Sequence, residues 1–401
     1  MKSNNNILSD SAKNECTSCQ FCESICPTNA ITFSLNEDGF YRPKISDICI
    51  ECGICKKYCY KFNTISNSED TLNQVKCYSV KSKDKNILKT SASGGVSTII
   101  FKHLLKEGYK IVGVTYNIEK NRAETIIVER EEELDCLKGS KYMQTRNKNI
   151  FREVINTKNK YAIIGTPCSI YPISSWAKNT KQNDRFVFID FFCHGTPSMM
   201  LWKKYSEEYI KKYNVKNIKF RSKHYGWHEF CHEFINDEKT IYSNRTEQDA
   251  FFTMFFDNHL LNLSCYGCKC RDSFDYCDIR LGDYWGSKFD TDVEGVSTVL
   301  LVTNTAKVLF DKINKELEFN EENFNETVKE QAYQKKYTFE KEKRLKYLSL
   351  LQGTYKINEI YSNYISDYNF ITKVKKNIKI FIKFLPNSLV STIRKIYHCN
   401  K

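Results

Sequence analysis

The sequence predicts an α+β architecture in which a small cysteine-framed N-terminal domain is joined to an α/β body and followed by a basic helical tail. Three observations carry this. Eight of the 18 cysteines lie between residues 16 and 59, short apolar runs alternate with amphipathic ones from about residue 75, and residues 341–401 hold 13 Lys or Arg against Glu342, Glu359 and Asp367. The expected units are residues 8–64, a body in two parts (75–158 and 159–335), and a tail over 336–401.

The N-terminal unit follows from cysteine spacing. Cys16, Cys19, Cys22 and Cys26, then Cys49, Cys52, Cys55 and Cys59, repeat CxxCxxCxxxC at an interval of 33 residues. In bacterial-type ferredoxins three thiolates of such a run hold one iron–sulfur cluster, and the fourth crosses to the other. The spacing therefore predicts a dicluster ferredoxin domain with two 4Fe-4S clusters. Zinc favours separated CxxC pairs and has no use for a crossed fourth ligand. Pro27 follows Cys26 as the pattern expects, whereas Tyr60 takes the equivalent place after Cys59. Between the runs, ITFSL and FYRPKI flank NEDG, which reads as a hairpin. The polar stretch KFNTISNSEDTLNQ then reads as a linker.

In the body, YKIVGVTY, ETIIVE, YAIIGT, RFVFIDFF and STVLLVT have the character of strands. VSTIIFKHLLKEG, NKNIFREVIN and MMLWKKYSEEYIKKY have helical spacing, and EEELDCL reads as an acidic helix. The alternation predicts a sheet covered by helices and carries no strand order.

Composition limits the function classes. The first ten residues, MKSNNNILSD, contain no apolar core of a secretory leader, so the cysteines are expected to be metal ligands in a reducing cytoplasm. No apolar run reaches the roughly 18 residues of a membrane span. The formal net charge of +13 resides mainly in the tail, and the remainder is close to neutral, which argues against a nucleic-acid channel.

Several loops carry candidate chemistry. SASGG, with Ser93, Gly94 and Gly95, precedes the helical run at Val96, and free amides at a helix start suit a nucleotide pyrophosphate. Taken alone, the pentapeptide is more simply a bare Ser/Gly helix cap. GSKYMQT places Lys141 beside Gly139, Ser140 and Tyr142; if a flavin is present, the lysine is suited to stabilise its anionic reduced ring or to bind phosphate, and otherwise it is a surface lysine. YAIIGTPC and RFVFIDFFCHG end strands with Cys168 and Cys193, and Pro167 suits the first turn of a helix whose amides favour thiolate at Cys168. SCYGCKC adds Cys265, Cys268 and Cys270, with Cys277 beyond. A third cluster on Cys168, Cys193, Cys265 and Cys268, a set that uses Cys270 or Cys277, and a structural zinc all satisfy the spacing. Cys77, Cys136, Cys231 and Cys399 read as core or surface thiols. His194 is the candidate proton donor at this site, against the plainer reading of a histidine packed at a strand end.

SASGG, GSKYMQT, GTPCSIYP, DFFCHGTPS, FRSKHYGW, SCYGC and DIRLGDYWG, in that order, resemble the family of the coenzyme F-420 hydrogenase/dehydrogenase beta subunit over roughly residues 8–330. The resemblance implies FAD, with its pyrophosphate near Ser93, Gly94 and Gly95 and its ring lined by Gly139, Ser140, Lys141 and Tyr142. It also implies a third 4Fe-4S cluster on Cys168, Cys193, Cys265 and Cys268.

The expectation is an iron–sulfur flavoprotein oxidoreductase that exchanges electrons between a ferredoxin-like donor or redox partner subunit and an unidentified organic acceptor. An electron-relay subunit and a cluster-based redox sensor are the alternatives. The tail from Ile371 to Leu385 reads as an amphipathic, lysine-rich helix ended by Pro386. It is suited either to packing on the body or a second subunit, or to peripheral contact with the inner face of a membrane.

Overall fold

A computed structural model describes residues 5–9, 16–65, 69–147 and 149–382. The N-terminal domain is built on a duplication. The helices Phe21–Ile25 and Ile54–Lys57 each start from a left-handed residue, Gln20 (φ 63°) and Gly53 (φ 75°), 33 positions apart. Two residues earlier, Ser18 and Glu51 also have positive φ. A left-handed turn costs a side-chain-bearing residue energy, so Gln20 needs compensation. Its buried amide group donates to Thr145 O (2.6 Å) and accepts from Arg146 and from the Asn147 amide, all in the body.

Between these helices, β1 (Ile31–Leu35) and β2 (Tyr41–Ile45) form the antiparallel hairpin expected, pairing Ile31 with Ile45 and Leu35 with Tyr41. Its tip is docked. A Cβ on Gly39 would lie 2.5 Å from Ser198 Oγ, Ser198 donates to Asp38 O, and Met199 N donates to Gly39 O. Only glycine fits at that approach.

The body is built around a nine-stranded mixed sheet. Its strands are β3 (Lys76–Ser82), β4 (Tyr109–Asn117), β5 (Arg122–Val128), β6 (Thr145–Arg146), β7 (Lys160–Gly165), β8 (Phe186–Phe191), β12 (Ile279–Asp283), β13 (Ser297–Leu301) and β14 (Leu317–Glu322). A separate three-stranded sheet contains β9 (Asn217–Ser222), β10 (Cys231–Ile235) and β11 (Thr240–Tyr242). The large sheet runs β14-β3-β13-β12-β8-β7-β4-β5-β6, with β12, β8, β7 and β4 mutually parallel at its centre. Because β3 pairs with β13 and β14, the segments 75–158 and 159–335 close a single sheet.

Period-two alternation sorts the layers. Tyr161 and Ile163 on β7 face a core with Phe151, Val154, Ile170, Ile173 and Trp176, from the helices Ile150–Asn156 and Pro167–Asn179. Ala162 faces the opposite core with Ile99, Leu104, Leu309 and Phe310, from the helices Val96–Lys106 and Asn304–Ile313. Phe21 and Tyr58 of the N-terminal domain join the first of these cores, which seats the cysteine domain on that face.

Local differences from the sequence reading have physical causes. EEELDCL is a tight three-residue-per-turn helix, Glu131–Leu137. The expected linker includes the short helix Glu69–Gln74, because Leu72 and Val75 find a core around Cys77. In the tail, Lys341–Gln352 and Ile357–Ser366 pack Tyr347, Leu348, Leu351, Ile360 and Tyr364 on a core shared with Trp202 and Phe251. The last described helix is Phe370–Ile382; Leu385, Pro386 and Cys399 lie outside the described residues.

Candidate functional site

Burial pushes Cys22 well above its usual pKa, and Cys19, Cys16, Cys59 and Cys55 are near enough to push further. Burial takes Cys59 up to about 12, with Cys19 and Cys16 adding to it, and Cys19 up to about 11. Cys55 is raised by burial and then by Cys52, Cys26 and Cys49. Cys59 thus stands beside the first run and Cys26 beside the second, the arrangement a crossed fourth ligand requires. At Cys26 burial raises the thiol, but the Thr28 side chain and the amides of Thr28, Ala30 and Ile31 outweigh it and lower the value.

The donor set fits iron–sulfur ligation. Cys16, Cys19, Cys22, Cys55 and Cys59 line a cavity of about 420 Å³ whose wall also carries the apolar Ile7, Phe33 and Pro172 and the cationic Arg42 and Lys61. Burial of several thiols together favours their protonated form; a cationic metal core reverses that by binding them as thiolates. Among the described residues no three His, Cys, Asp or Glu side chains gather so as to hold one metal ion; the thiols stand around a space.

The body thiols are brought together by topology. β7 and β8 are adjacent and parallel, so Cys168 and Cys193 emerge side by side at their carboxyl ends, where open α/β sheets place ligands. Pro167 opens the following helix as expected. Burial dominates Cys168 and, with Cys268, Cys193 and Cys265 nearby, pushes its thiol well above the usual range despite the Thr166 hydroxyl. Burial takes Cys193 to about 12 and Cys265 to about 11. A hydrogen bond from Cys270 is the main cause that lowers Cys268 to about 6.

Two arginines that the sequence reading passed over hold this group. Arg271 donates to Cys193 O (3.1 Å), His194 O (3.2 Å) and Cys265 O (2.8 Å), tying the strand end to the cysteine loop and placing a fixed cation among the thiols. Fully buried Arg280 on β12 pairs with Asp190 on β8 through two bonds (2.7 and 2.6 Å) and donates to Arg271 O and Ser273 O. An arginine beside CKC was the available signal. Cys277 lies by Asp190 and Arg280, apart from the four.

The body thiols and the N-terminal thiols are neighbours. Cys270 interacts with Cys268, Cys168 and Cys19. Tyr60, the residue that departs from the ferredoxin pattern, donates to Gly267 O and accepts from Lys269 N, both 3.2 Å, which fastens the Cys59 segment to the Cys265–Cys268 loop.

The candidate flavin loops also converge. Gly139 abuts Phe220, where a Cβ would stand 2.5 Å from the carbonyl oxygen. Arg221, held at φ 59°, donates to Tyr142 Oη (3.1 Å) and Asp283 (2.7 Å) and lies 3.9 Å over the Phe230 ring. Asp283 also accepts from Trp227, which stacks on Trp285. Lys223 donates to Ser93 O (2.7 Å), Leu88 O and Glu294 O, and burial lowers it to about 8. Gly94 donates its amide to Ser297 Oγ (3.0 Å), so that amide is not available to phosphate. Ser140 sits beside Tyr142 in the same loop, and Gly95 (φ 83°) caps the helix Val96–Lys106.

Lys141 donates to Lys138 O (2.8 Å) and Cys136 O (3.1 Å), and burial lowers it to about 7. Burial, then the Arg271 charge, lowers His194 to about 4; its Nδ1 is 3.3 Å from Tyr337 Oη. The His194 ring contacts Phe255 and Phe256, and both of those contact Tyr142.

Paired cysteine runs and a strand-end thiol group on a mixed α/β body define an iron–sulfur electron-transfer protein. Comparison with known proteins specifies the family. Residues 77–152 match the N-terminal part, and residues 158–327 the C-terminal part, of the coenzyme F420 hydrogenase/dehydrogenase beta subunit, while residues 13–32 match a 4Fe-4S binding domain. The chain belongs to the family of that beta subunit. A subunit of the F(420)H(2) dehydrogenase of Methanosarcina mazei is 25% identical over 323 residues, covering 77% of this chain and 84% of that protein. A chain of the F420-reducing NiFe hydrogenase complex from Methanosarcina barkeri is similar at TM-score 0.44 and 16% identity, covering 73% of this chain and 91% of the other.

Proposed function

We propose that this chain is an iron–sulfur flavoprotein oxidoreductase that passes electrons between a ferredoxin-like donor or redox partner subunit and an organic acceptor in the cytoplasm. The observation that carries the reading is the order of contacts: outer thiols, inner thiols, Cys270 and Tyr60, body thiols, then His194, Phe255 and Phe256 to Tyr142. A relay built for one-electron traffic needs such contiguity, whereas a redox sensor needs only one of these groups.

In this reading Cys26, Cys49, Cys52 and Cys55 hold the outer 4Fe-4S cluster, with Cys52 exposed toward a partner. Cys16, Cys19, Cys22 and Cys59 hold the inner one, and Cys168, Cys193, Cys265 and Cys268 the third. Ser93, Gly94, Gly95, Gly139, Ser140, Lys141 and Tyr142 frame FAD. When bound, these groups supply one-electron steps and their conversion to two-electron chemistry. Lys141, poised near neutrality by burial, offers charge or a proton to the reacting ring. His194 acts as a neutral imidazole that orients Tyr337 between the body thiols and the aromatic wall. The Methanosarcina mazei relative, named as one subunit of a dehydrogenase, supports a protein partner.

Iron, sulfide and flavin assays on anaerobically purified protein test this reading. About twelve irons and one FAD per chain are expected, from three centres with four protein ligands each. About eight irons would remove the third cluster, and absence of flavin would leave the relay subunit as the better description.

A further inference from the structure

The last described helix, Phe370–Ile382, is mounted with its apolar face outward. Phe370 (79% exposed), Ile371 (63%), Ile378 (51%) and Phe381 (66%) stand in solvent, and Ile371, Val374, Ile378 and Phe381 recur at the three- and four-residue spacing of one helix face. A lysine takes the inward position instead. Lys376 Nζ donates to Thr253 Oγ1 (3.1 Å) and Tyr361 Oη (3.3 Å) and lies over the rings of Tyr361 and Tyr368. Lys373 is tied to Ser366 O (3.0 Å). An amphipathic helix that stabilised the body would present the reverse arrangement, so these side chains are exposed for something outside it.

Charge selects among occupants. From Tyr368 to the last residue the sequence holds eight Lys or Arg and no Asp or Glu. A second copy would bring the same positive charge against this one and be repelled, and a neutral apolar surface would leave the lysines unanswered. An anionic lipid surface satisfies both: the exposed apolar side chains enter the headgroup and acyl boundary, and the net positive charge of the segment is drawn to the phosphates. No helix of the described residues is long and apolar enough to cross a membrane, so the contact is lateral.

We propose that the helix Phe370–Ile382 docks this protein on an anionic membrane surface. The inference is independent of the flavin reading, but the two meet in space. Thr253, which receives Lys376, lies on the helix Ala250–Phe256, and Phe252, Phe255 and Phe256 of that helix contact Tyr142. One helix therefore separates the docked surface from the GSKY loop.

The test is cosedimentation of the full chain with vesicles of phosphatidylcholine containing phosphatidylglycerol, against phosphatidylcholine alone. Binding to the anionic vesicles only, weakened by salt, is expected. Combining Ile371→Asn, Ile378→Asn and Phe381→Asn should reduce it roughly tenfold or more while leaving the visible absorbance of the protein unchanged. A chain ending at Asn369 should lose binding in the same way. An intact chain that stays in the supernatant, or a triple variant that binds as well as the parent, overturns the proposal. So does a triple variant that turns a dimer into a monomer in sedimentation velocity while neither protein binds vesicles, since a second copy then covers the face.

Discussion

The N-terminal thiols and the body thiols solve one problem in opposite ways. The first eight come from two short segments in which a left-handed residue and one turn of helix aim each run, so most of their geometry is local. The body four come from the ends of two adjacent strands and a loop some 70 residues later in the chain, and they meet only if β7, β8 and β12 pair correctly. The body thiols depend on Arg271 and Arg280 to hold their separate segments together, whereas the N-terminal runs, already shaped by their own turns, are held against the body by Gln20 with Thr145, by the Arg146–Glu23 ion pair and by Arg152, which donates to Glu23 O and Cys26 O.

The most severe way to break this contrast is Arg280→Met, which leaves Asp190 as an unpaired buried charge. A loss of about 3–5 kcal/mol is expected, because the partner keeps its desolvation penalty. Denaturant unfolding combined with iron analysis should show the body destabilised and its iron lost while about eight irons remain in the N-terminal domain. Loss of all iron together would mean that the two regions are one cooperative unit.

Next in expected size is the effect of pH at Lys141. Its folded pKa of about 7 lies below the ordinary lysine value of 10.5, so the folded chain resists the proton that the unfolded chain accepts. The penalty is complete below about pH 7 and is relieved as pH rises toward 10.5. Relative to Lys141→Met, the parent should therefore gain stability between about pH 7 and pH 10, read from denaturation midpoints. A constant difference would show that Lys141 titrates normally.

Arg271→Met tests the brace as a charge. Removing a cation from beside Cys193, Cys265 and Cys268 should make the proposed body cluster harder to reduce by on the order of 60 mV, the one-electron equivalent of about 1.4 kcal/mol. Redox titration followed by electron paramagnetic resonance reads this, with the N-terminal signals as internal controls. The smallest change expected is from Tyr60→Phe. It deletes the two bonds to Gly267 and Lys269, costs about 1 kcal/mol, and slows transfer between the inner and body thiols severalfold without loss of iron.

The same division governs what could be read from the sequence. The two cysteine runs and the hairpin were legible because their information is short-range. Cys168 and Cys193 were legible as strand ends, but the choice among Cys265, Cys268, Cys270 and Cys277 was not, because it depends on how the loop lies against β8. In the structure Cys265 and Cys268 stand near Cys168, and Cys270 lies between Cys268 and Cys168 on one side and Cys19 on the other. Arg221, Asp283 and Lys223 were missed because each acts across distant segments: Arg221 reaches Tyr142 from 79 residues away, and Lys223 reaches Ser93 from 130 away. Tyr60 was noticed only as an exception, and its role appears only once Gly267 and Lys269 stand opposite it. The tail was legible as amphipathic, whereas the direction of its apolar face was not.

The central claim is that electrons from the N-terminal thiols reach the GSKY loop through the body thiols. Rapid mixing of anaerobic protein with a pre-reduced ferredoxin, followed at the flavin band, tests it directly in the parent and in Cys193→Ala, both normalised to bound flavin and N-terminal iron. The account predicts that the substitution slows flavin reduction by at least about a hundredfold, because it removes a thiol from the body group that His194 joins to the aromatic wall. Flavin reduced at the parental rate in Cys193→Ala would contradict it.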